Sequence, residues 1–187
     1  MKHVDISFDQ LKGHVADICR QIIINDDWRP DIVVGITRGG ALPAVMISHY
    51  FNIPMHPLKI SLRGTHAETV SDCSLSEDAF GYVFKEERAN GFDRDWCESK
   101  QKNILVVDDI NDTGATINWL INDWQSNCLP DSPHWKDVWN KNVRFATIVD
   151  NLSSQCVIEM DYSALVVNKE DSDVWYNFPY ENWWRTS

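Results

Sequence analysis

Residues 106–116, VVDDINDTGAT, set two adjacent acids, Asp108 and Asp109, ahead of a short polar loop that carries Asp112, Thr113, Gly114, Ala115 and Thr116. Val106 and Val107 close a short apolar run of the kind that forms a buried strand, which places both acids at a strand's carboxyl end. Gly114 permits positive φ and lets the backbone approach a ligand closely. Successive N–H groups at a helix start favour an anion through hydrogen bonds and the helix dipole, and Thr113 and Thr116 add hydroxyl donors. The loop therefore suits a phosphate. Asp108 and Asp109 would repel that phosphate as direct ligands, so they are read as acceptors for sugar hydroxyls or partners of a magnesium ion. A phosphate pocket beside two acids is what a phosphorylated ribose requires. The plainer alternative is a turn whose Asp and Asn side chains only cap the following helix.

Two further segments offer related chemistry. Residues 34–40, VGITRGG, end a strand with Thr37, Arg38 and Gly39; a guanidinium and free backbone N–H groups suit a pyrophosphate. Near the C-terminus stand Asp173-Val174-Trp175-Tyr176 and then Phe178-Pro179-Tyr180-Glu181, aromatic residues able to stack on a flat ligand.

Together these segments resemble the type I phosphoribosyltransferases. Residues 106–116 resemble that family's ribose-phosphate signature, and residues 34–40 its pyrophosphate loop. The C-terminal pair, with the opening FDQLKGHVADICRQI and DDW, resembles the bacterial xanthine-guanine enzymes. The resemblance covers most of residues 8–62, 103–124 and 143–181, and fails across 63–102 and 127–142.

The resemblance implies an α/β fold of the type I phosphoribosyltransferase kind: a mostly parallel central sheet flanked by helices, a small hood near the C-terminus and a flexible lid. It implies an enzyme that binds phosphoribosyl pyrophosphate, magnesium (Mg2+) and a free purine base, namely guanine, xanthine or hypoxanthine, and makes a nucleoside monophosphate and pyrophosphate. By resemblance, residues 112–116 hold the 5-phosphate, Asp108 and Asp109 hold the ribose hydroxyls, and Asp109 also approaches the metal. Thr37, Arg38 and Gly39 stabilise the leaving pyrophosphate across a peptide bond, Thr37–Arg38, that the family makes cis. Asp112 faces the base's imidazole nitrogen and assists proton transfer; Trp175 and Tyr176 stack on and bracket the base. Arg38, Asp109 and Asp112 are thus the catalytic candidates. A homodimer or homotetramer is implied as well.

One position departs from that pattern. The subfamily reads the purine's exocyclic oxygen with a lysine just after the strand matching residues 143–149, where this chain has Asp150 and Asn151; the next lysine, Lys169, is expected elsewhere. Asn151 can hydrogen-bond a carbonyl or an amine without charge. Two other readings therefore stay open: transfer to another acceptor, such as adenine or a pyrimidine, and a non-catalytic regulator that binds phosphoribosyl pyrophosphate.

The elements that must position these residues follow from periodicity. Ser7 and Gln10 form a capping box for a helix whose apolar residues recur from Phe8 to Ile23. Strands are expected at residues 32–36, 55–62, 104–107, 143–149 and 164–167, and helices at 41–51 and 113–124. Alternating strands and helices imply a mostly parallel sheet, with ligands beyond the strands' carboxyl ends. A single domain over residues 1–187 is expected, in which 63–102 is a lid or insertion, 127–142 a surface insertion and 150–187 the contributor of the hood. Residues 61–87 are the candidate for the water-excluding lid.

Bulk composition narrows the class. A formal charge of −11 without a basic stripe disfavours nucleic acid as a partner. The five cysteines (Cys19, Cys73, Cys97, Cys128 and Cys156) are widely spaced without a C-x-x-C, which fits a reducing cytosol better than disulfides or zinc. No stretch reads as a signal peptide or a membrane span, so a cytoplasmic protein without membrane partners is expected. The chain also lacks a G-x-x-x-x-G-K-[ST] phosphate loop.

Overall fold

The computed structural model describes residues 2–25, 27–62, 68–84, 96–98, 101–172 and 174–184. The chain order is β1 (Lys2–Asp5), α1 (Phe8–Asn25), β2 (Ile32–Thr37), α2 (Ala41–Phe51), β3 (Met55–Ser61), β4 (Glu68–Thr69), α3 (Cys73–Phe80), β5 (Tyr82–Phe84), β6 (Trp96–Glu98), β7 (Ile104–Asn111), α4 (Ala115–Asn127), a 3-10 turn at Pro133–Asp137, β8 (Val143–Asn151), β9 (Tyr162–Val167) and β10 (Val174–Asn177). The central sheet runs β4-β3-β2-β7-β8-β9, and the last five of these are mutually parallel. Within this sheet only β4, a two-residue edge, pairs antiparallel; β5 and β6 form a separate antiparallel pair.

Alternation of side chains along each strand divides the core in two. Val34, Ile36, Ile104 and Val106 face α3, α4 and the 3-10 turn. Val33, Leu105 and Val107 face α1 and α2. Both faces are covered, which is why Ile32–Ile36 of β2 and Ile104–Val107 of β7 read as near-continuous apolar runs. The capping box forms as expected: Ser7 N donates to Gln10 Oε1 at 2.8 Å and Gln10 N to Ser7 Oγ at 3.2 Å. At the other end of α1, Arg29 donates to the carbonyls of Ile22 and Ile23, satisfying acceptors the helix leaves over.

Four local expectations differ from the structure. β7 does not stop at Val107; its ladder with β8 continues through Asp108↔Thr147 to Asn111↔Asp150, because the neighbouring strand, not local hydrophobicity, sets its length. α4 starts at Ala115, two residues later than its periodicity suggested. Within 63–102 lies a packed helix, α3, capped by Asp72 and by Gly81 at φ 78, with Leu75 and Ala79 buried. Within 127–142, Trp135 is buried and stacks on Trp139 at 5.2 Å and 14°, so this stretch lends aromatic mass to the core. The proposed lid at 61–87 and Asp173 fall wholly or partly outside the described residues.

The hood is a two-stranded parallel ribbon made by opposite ends of the chain. β1 pairs with β10, His3↔Trp175 and Val4↔Tyr176, and Asn177 Nδ2 donates to Asp5 Oδ1 at 2.7 Å. Among the described residues no helix is long and apolar enough to cross a membrane.

Candidate active site

A cavity of about 1060 Å³ opens beyond the carboxyl ends of β2, β3 and β7, the position where open α/β sheets bind ligands. One wall is the end of β7, the turn after it and the start of α4, residues 108–116; a second is Thr37, Arg38 and Gly39 with Lys59 and Ser61; the third is Lys169 with the hood residues Trp175, Tyr176 and Tyr180. Five separate stretches of the chain thus face one space.

At the turn, Gly114 has φ 83 and is the N-terminal cap of α4. A Cβ there would collide with the backbone of Cys156, so glycine is needed for both conformation and space. The loop after β8 supports the turn from behind: Gln155 N donates to the Thr113 carbonyl at 3.0 Å, and Asn118 Nδ2 donates to the Gln155 carbonyl at 2.8 Å. Ala115, Thr116 and Ile117 at the start of α4 line the cavity, and the first N–H groups of a helix have no intrahelical partner, a setting that favours an anion.

The two acids differ. Asp108 is buried, and its Oδ1 accepts from the Asp109 N–H at 2.9 Å. Asp109 Oδ1 accepts from Ile110 N at 2.9 Å, and Oδ2 accepts from the Tyr180 hydroxyl at 3.0 Å. Burial pushes the Asp109 carboxyl above its ordinary range, and the bonds from Tyr180, Asp108 and Ile110 act the other way. The Tyr180 phenol is pushed far above its usual range by burial and then by the neighbouring Asp109, so it stays a donor. Gly39 packs on the Asp109 carboxylate closely enough that a Cβ would collide with it. The Thr37–Arg38 peptide between these groups is cis. Arg38 is exposed at the rim.

Lys169, in the turn after β9, reaches back to the turn between β7 and α4, and its Nζ lies 2.7 Å from Asp112 Oδ1. Both side chains are about four-fifths covered, at 18% and 20% exposure. Asn151 points away from this space. It is buried and does not line the cavity; Nδ2 donates to the Asp112 carbonyl, and Oδ1 accepts from Ser153 and from the Lys169 N–H at 3.0 Å. The reading of Asn151 as a ligand contact is corrected accordingly: its amide is consumed in joining β8 to the turn and to the Lys169 loop. The remaining expected residues, Asp108, Asp109, Asp112, Thr113, Gly114, Ala115, Thr116, Thr37, Arg38, Gly39, Trp175 and Tyr176, all line the one cavity.

The family model of the phosphoribosyl transferase domain matches residues 7–181. The chain belongs to that family. Over 186 residues this phosphoribosyltransferase is 24% identical to the hypoxanthine-guanine phosphoribosyltransferase of Schizosaccharomyces pombe, an alignment covering 94% of this chain and 87% of that protein. Among solved structures it is similar to the purine phosphoribosyltransferase from Pyrococcus horikoshii Ot3, with a TM-score of 0.61 and 19% identity over 97% of this chain and 96% of that one. It is likewise similar to the Helicobacter pylori xanthine-guanine-hypoxanthine phosphoribosyltransferase, with a TM-score of 0.60 and 19% identity over 96% and 94% of the two chains. At such identities the structural likeness concerns the fold, and it agrees with the five-stranded parallel sheet between helices.

Lys59 and Lys169 line the cavity without a local sequence signal, and Lys169, expected elsewhere, stands beside Asp112; Tyr180 was read only among the stacking aromatics, and its bond to Asp109 was not foreseen. A lysine at a strand end and a tyrosine in an aromatic stretch are ordinary by type, and only the fold brings them to the acids. Among the described residues no group of three or more His, Cys, Asp or Glu gathers as a ready-made metal site. The oxygen donors of Asp108 and Asp109 nonetheless fit magnesium, which typically takes one or two carboxylates and completes its shell with substrate oxygens and water.

Proposed function

We propose that the protein transfers the ribose 5-phosphate of phosphoribosyl pyrophosphate to a free 6-oxopurine, giving a nucleoside monophosphate and pyrophosphate. The observation that carries this reading is the Lys169–Asp112 pair, an ammonium and a carboxylate 2.7 Å apart between the phosphate loop and the hood. A 6-oxopurine offers along one edge an exocyclic carbonyl and a neighbouring imidazole nitrogen. Lys169 donates to the carbonyl, and Asp112 accepts the proton of the imidazole N–H. Adenine would set an amine against an ammonium, two donors with no acceptor between them. Guanine, hypoxanthine and xanthine are therefore the favoured acceptors.

The backbone N–H groups at the start of α4, with the Thr113 and Thr116 hydroxyls, hold the 5-phosphate. Asp108 and Asp109 accept hydrogen bonds from the ribose hydroxyls. Trp175 and Tyr176 cover the face of the base. As a ring nitrogen attacks the anomeric carbon, pyrophosphate leaves with the bonding electron pair, and the proton displaced from the imidazole ring passes to Asp112. Arg38 and the N–H groups of residues 37–39 meet the negative charge that grows on the leaving group, the point where preorganised donors act most strongly. Magnesium, implied by the family, would be held by Asp109 together with substrate oxygens and would offset charge on the pyrophosphate. The resemblance further suggests a homodimer or homotetramer acting in the cytoplasm without nucleic acid.

Turnover with guanine, hypoxanthine, xanthine and adenine, followed as pyrophosphate release, tests the reading. At least one 6-oxopurine is expected to exceed adenine by about tenfold or more in kcat/KM, the scale on which a lost charged hydrogen bond acts. Equal or better use of adenine removes the base assignment. Absence of turnover with all four removes the activity.

A further inference from the structure

We infer that Tyr180 is a positioning residue of the sugar site: its hydroxyl fixes the Asp109 carboxylate for the ribose and ties the hood to it. This rests on the function proposed above for the cavity. Asp109 is the point where three separate segments converge. Gly39 packs flat against its carboxylate, Ile110 N donates to Oδ1 at 2.9 Å, and Tyr180 donates to Oδ2 at 3.0 Å. Ile110 thus holds one carboxylate oxygen and Tyr180 the other. Because the group is buried, these donors replace the water that an exposed carboxylate would use, and losing one leaves a charge undercompensated.

Tyr180 is built to hold that position. Its ring stacks on Phe178 at 5.6 Å and 12°, and Phe178 is 4% exposed in the core beneath α1. The turn that carries both is closed on itself: Phe178 N donates to Glu181 Oε2 at 2.9 Å, and Glu181 N donates to the Phe178 carbonyl at 3.1 Å. The hydroxyl is therefore delivered by an anchored ring on a pinned turn. The same turn follows directly on β10, which carries Trp175 and Tyr176. A single hydrogen bond spans the hood and the acid that faces the sugar, over 71 residues of sequence.

Tyr180→Phe keeps the stacked ring and removes only the hydroxyl. Binding of ribose 5-phosphate and of inorganic phosphate is measured by calorimetry on the wild type and the variant, with Tm checked on both. The phosphate contacts assigned above are made by residues 112–116 and do not include Asp109, so inorganic phosphate reports on the fold and the loop, whereas ribose 5-phosphate also needs the acids. The variant is expected to bind ribose 5-phosphate about tenfold more weakly and inorganic phosphate within twofold of wild type. In turnover, KM for phosphoribosyl pyrophosphate should rise while KM for the base stays within twofold. An equal loss for both ligands would make Tyr180 a structural support only. Unchanged or tighter binding of ribose 5-phosphate would make it a bystander or a plug, and either overturns the inference. A wild-type protein that binds inorganic phosphate but does not prefer ribose 5-phosphate sinks the functional reading itself.

Discussion

The phosphate-loop side and the hood side of the cavity are built by opposite means. The first is nine consecutive residues, 108–116, set by the end of one central strand and the start of one helix. Its geometry follows from main-chain conformation, with Gly114 at positive φ and the post-β8 loop bracing it from behind. The hood side is assembled from a turn after β9, a strand near the C-terminus and the N-terminal strand that pairs with it. Its geometry depends on side chains delivered from distant points. A contiguous site tolerates sequence drift around it as long as its own turn survives, whereas an assembled site can relocate a functional group from one strand end to the next. In this chain Lys169, from the turn after β9, meets Asp112 across the cavity, and Asn151 is hydrogen-bonded to the Asp112 carbonyl beside it.

Substitutions can break or sharpen that contrast. The largest effect is expected at Asp112, where the two sides meet: Asp112→Asn should lower kcat by about 10²- to 10³-fold, in the usual range for a group that handles a proton, while Tm moves little. Full activity in that variant, measured by pyrophosphate release, would remove Asp112 from the chemistry and separate the two sides entirely. Next, Lys169→Met should reduce kcat/KM for 6-oxopurines by roughly ten- to a hundredfold, the cost of a charged hydrogen bond, and narrow the gap to adenine. An unchanged base preference would mean that the hood side reads its ligand by other groups. The smallest effect should come from removing residues 1–5: with β10 unpaired, KM for the base is expected to rise a few-fold and KM for phosphoribosyl pyrophosphate to stay within twofold. Equal changes in both constants would show that the two sides respond as one body.

The same contrast governs what could be read in the sequence. The strand-acid-turn-helix segment was legible because each of its parts is local: an apolar run, two carboxylates, a glycine, two threonines. The capping box at Ser7 and Gln10 was legible for the same reason. The true end of β7 was not, since pairing with β8 extends it through Asp108 and Asp109, residues that no strand propensity favours. α3 was hidden by its acids, because only one narrow face, Leu75 and Ala79, is apolar. Trp135 and Trp139 looked like surface insertion because a 3-10 turn has no long periodicity to betray its buried side. Lys169 lies 57 residues from Asp112 and Tyr180 lies 71 from Asp109, and no local pattern announces pairs at that distance. Asn151 was assigned by its place after a strand, but the direction of its side chain is decided by which neighbours offer hydrogen bonds, and three do.

The ribbon of β1 and β10 has a consequence for how the molecule is made. Its two strands stand more than 160 residues apart in the chain, while β2, β7 and the α4 turn lie in its first two-thirds. On a ribosome the phosphate loop has its supporting sheet partners before the hood has its second strand. During synthesis the turn before α4 therefore gains its strand partners while β1 is still an open edge, which it remains until β10 emerges to pair with it.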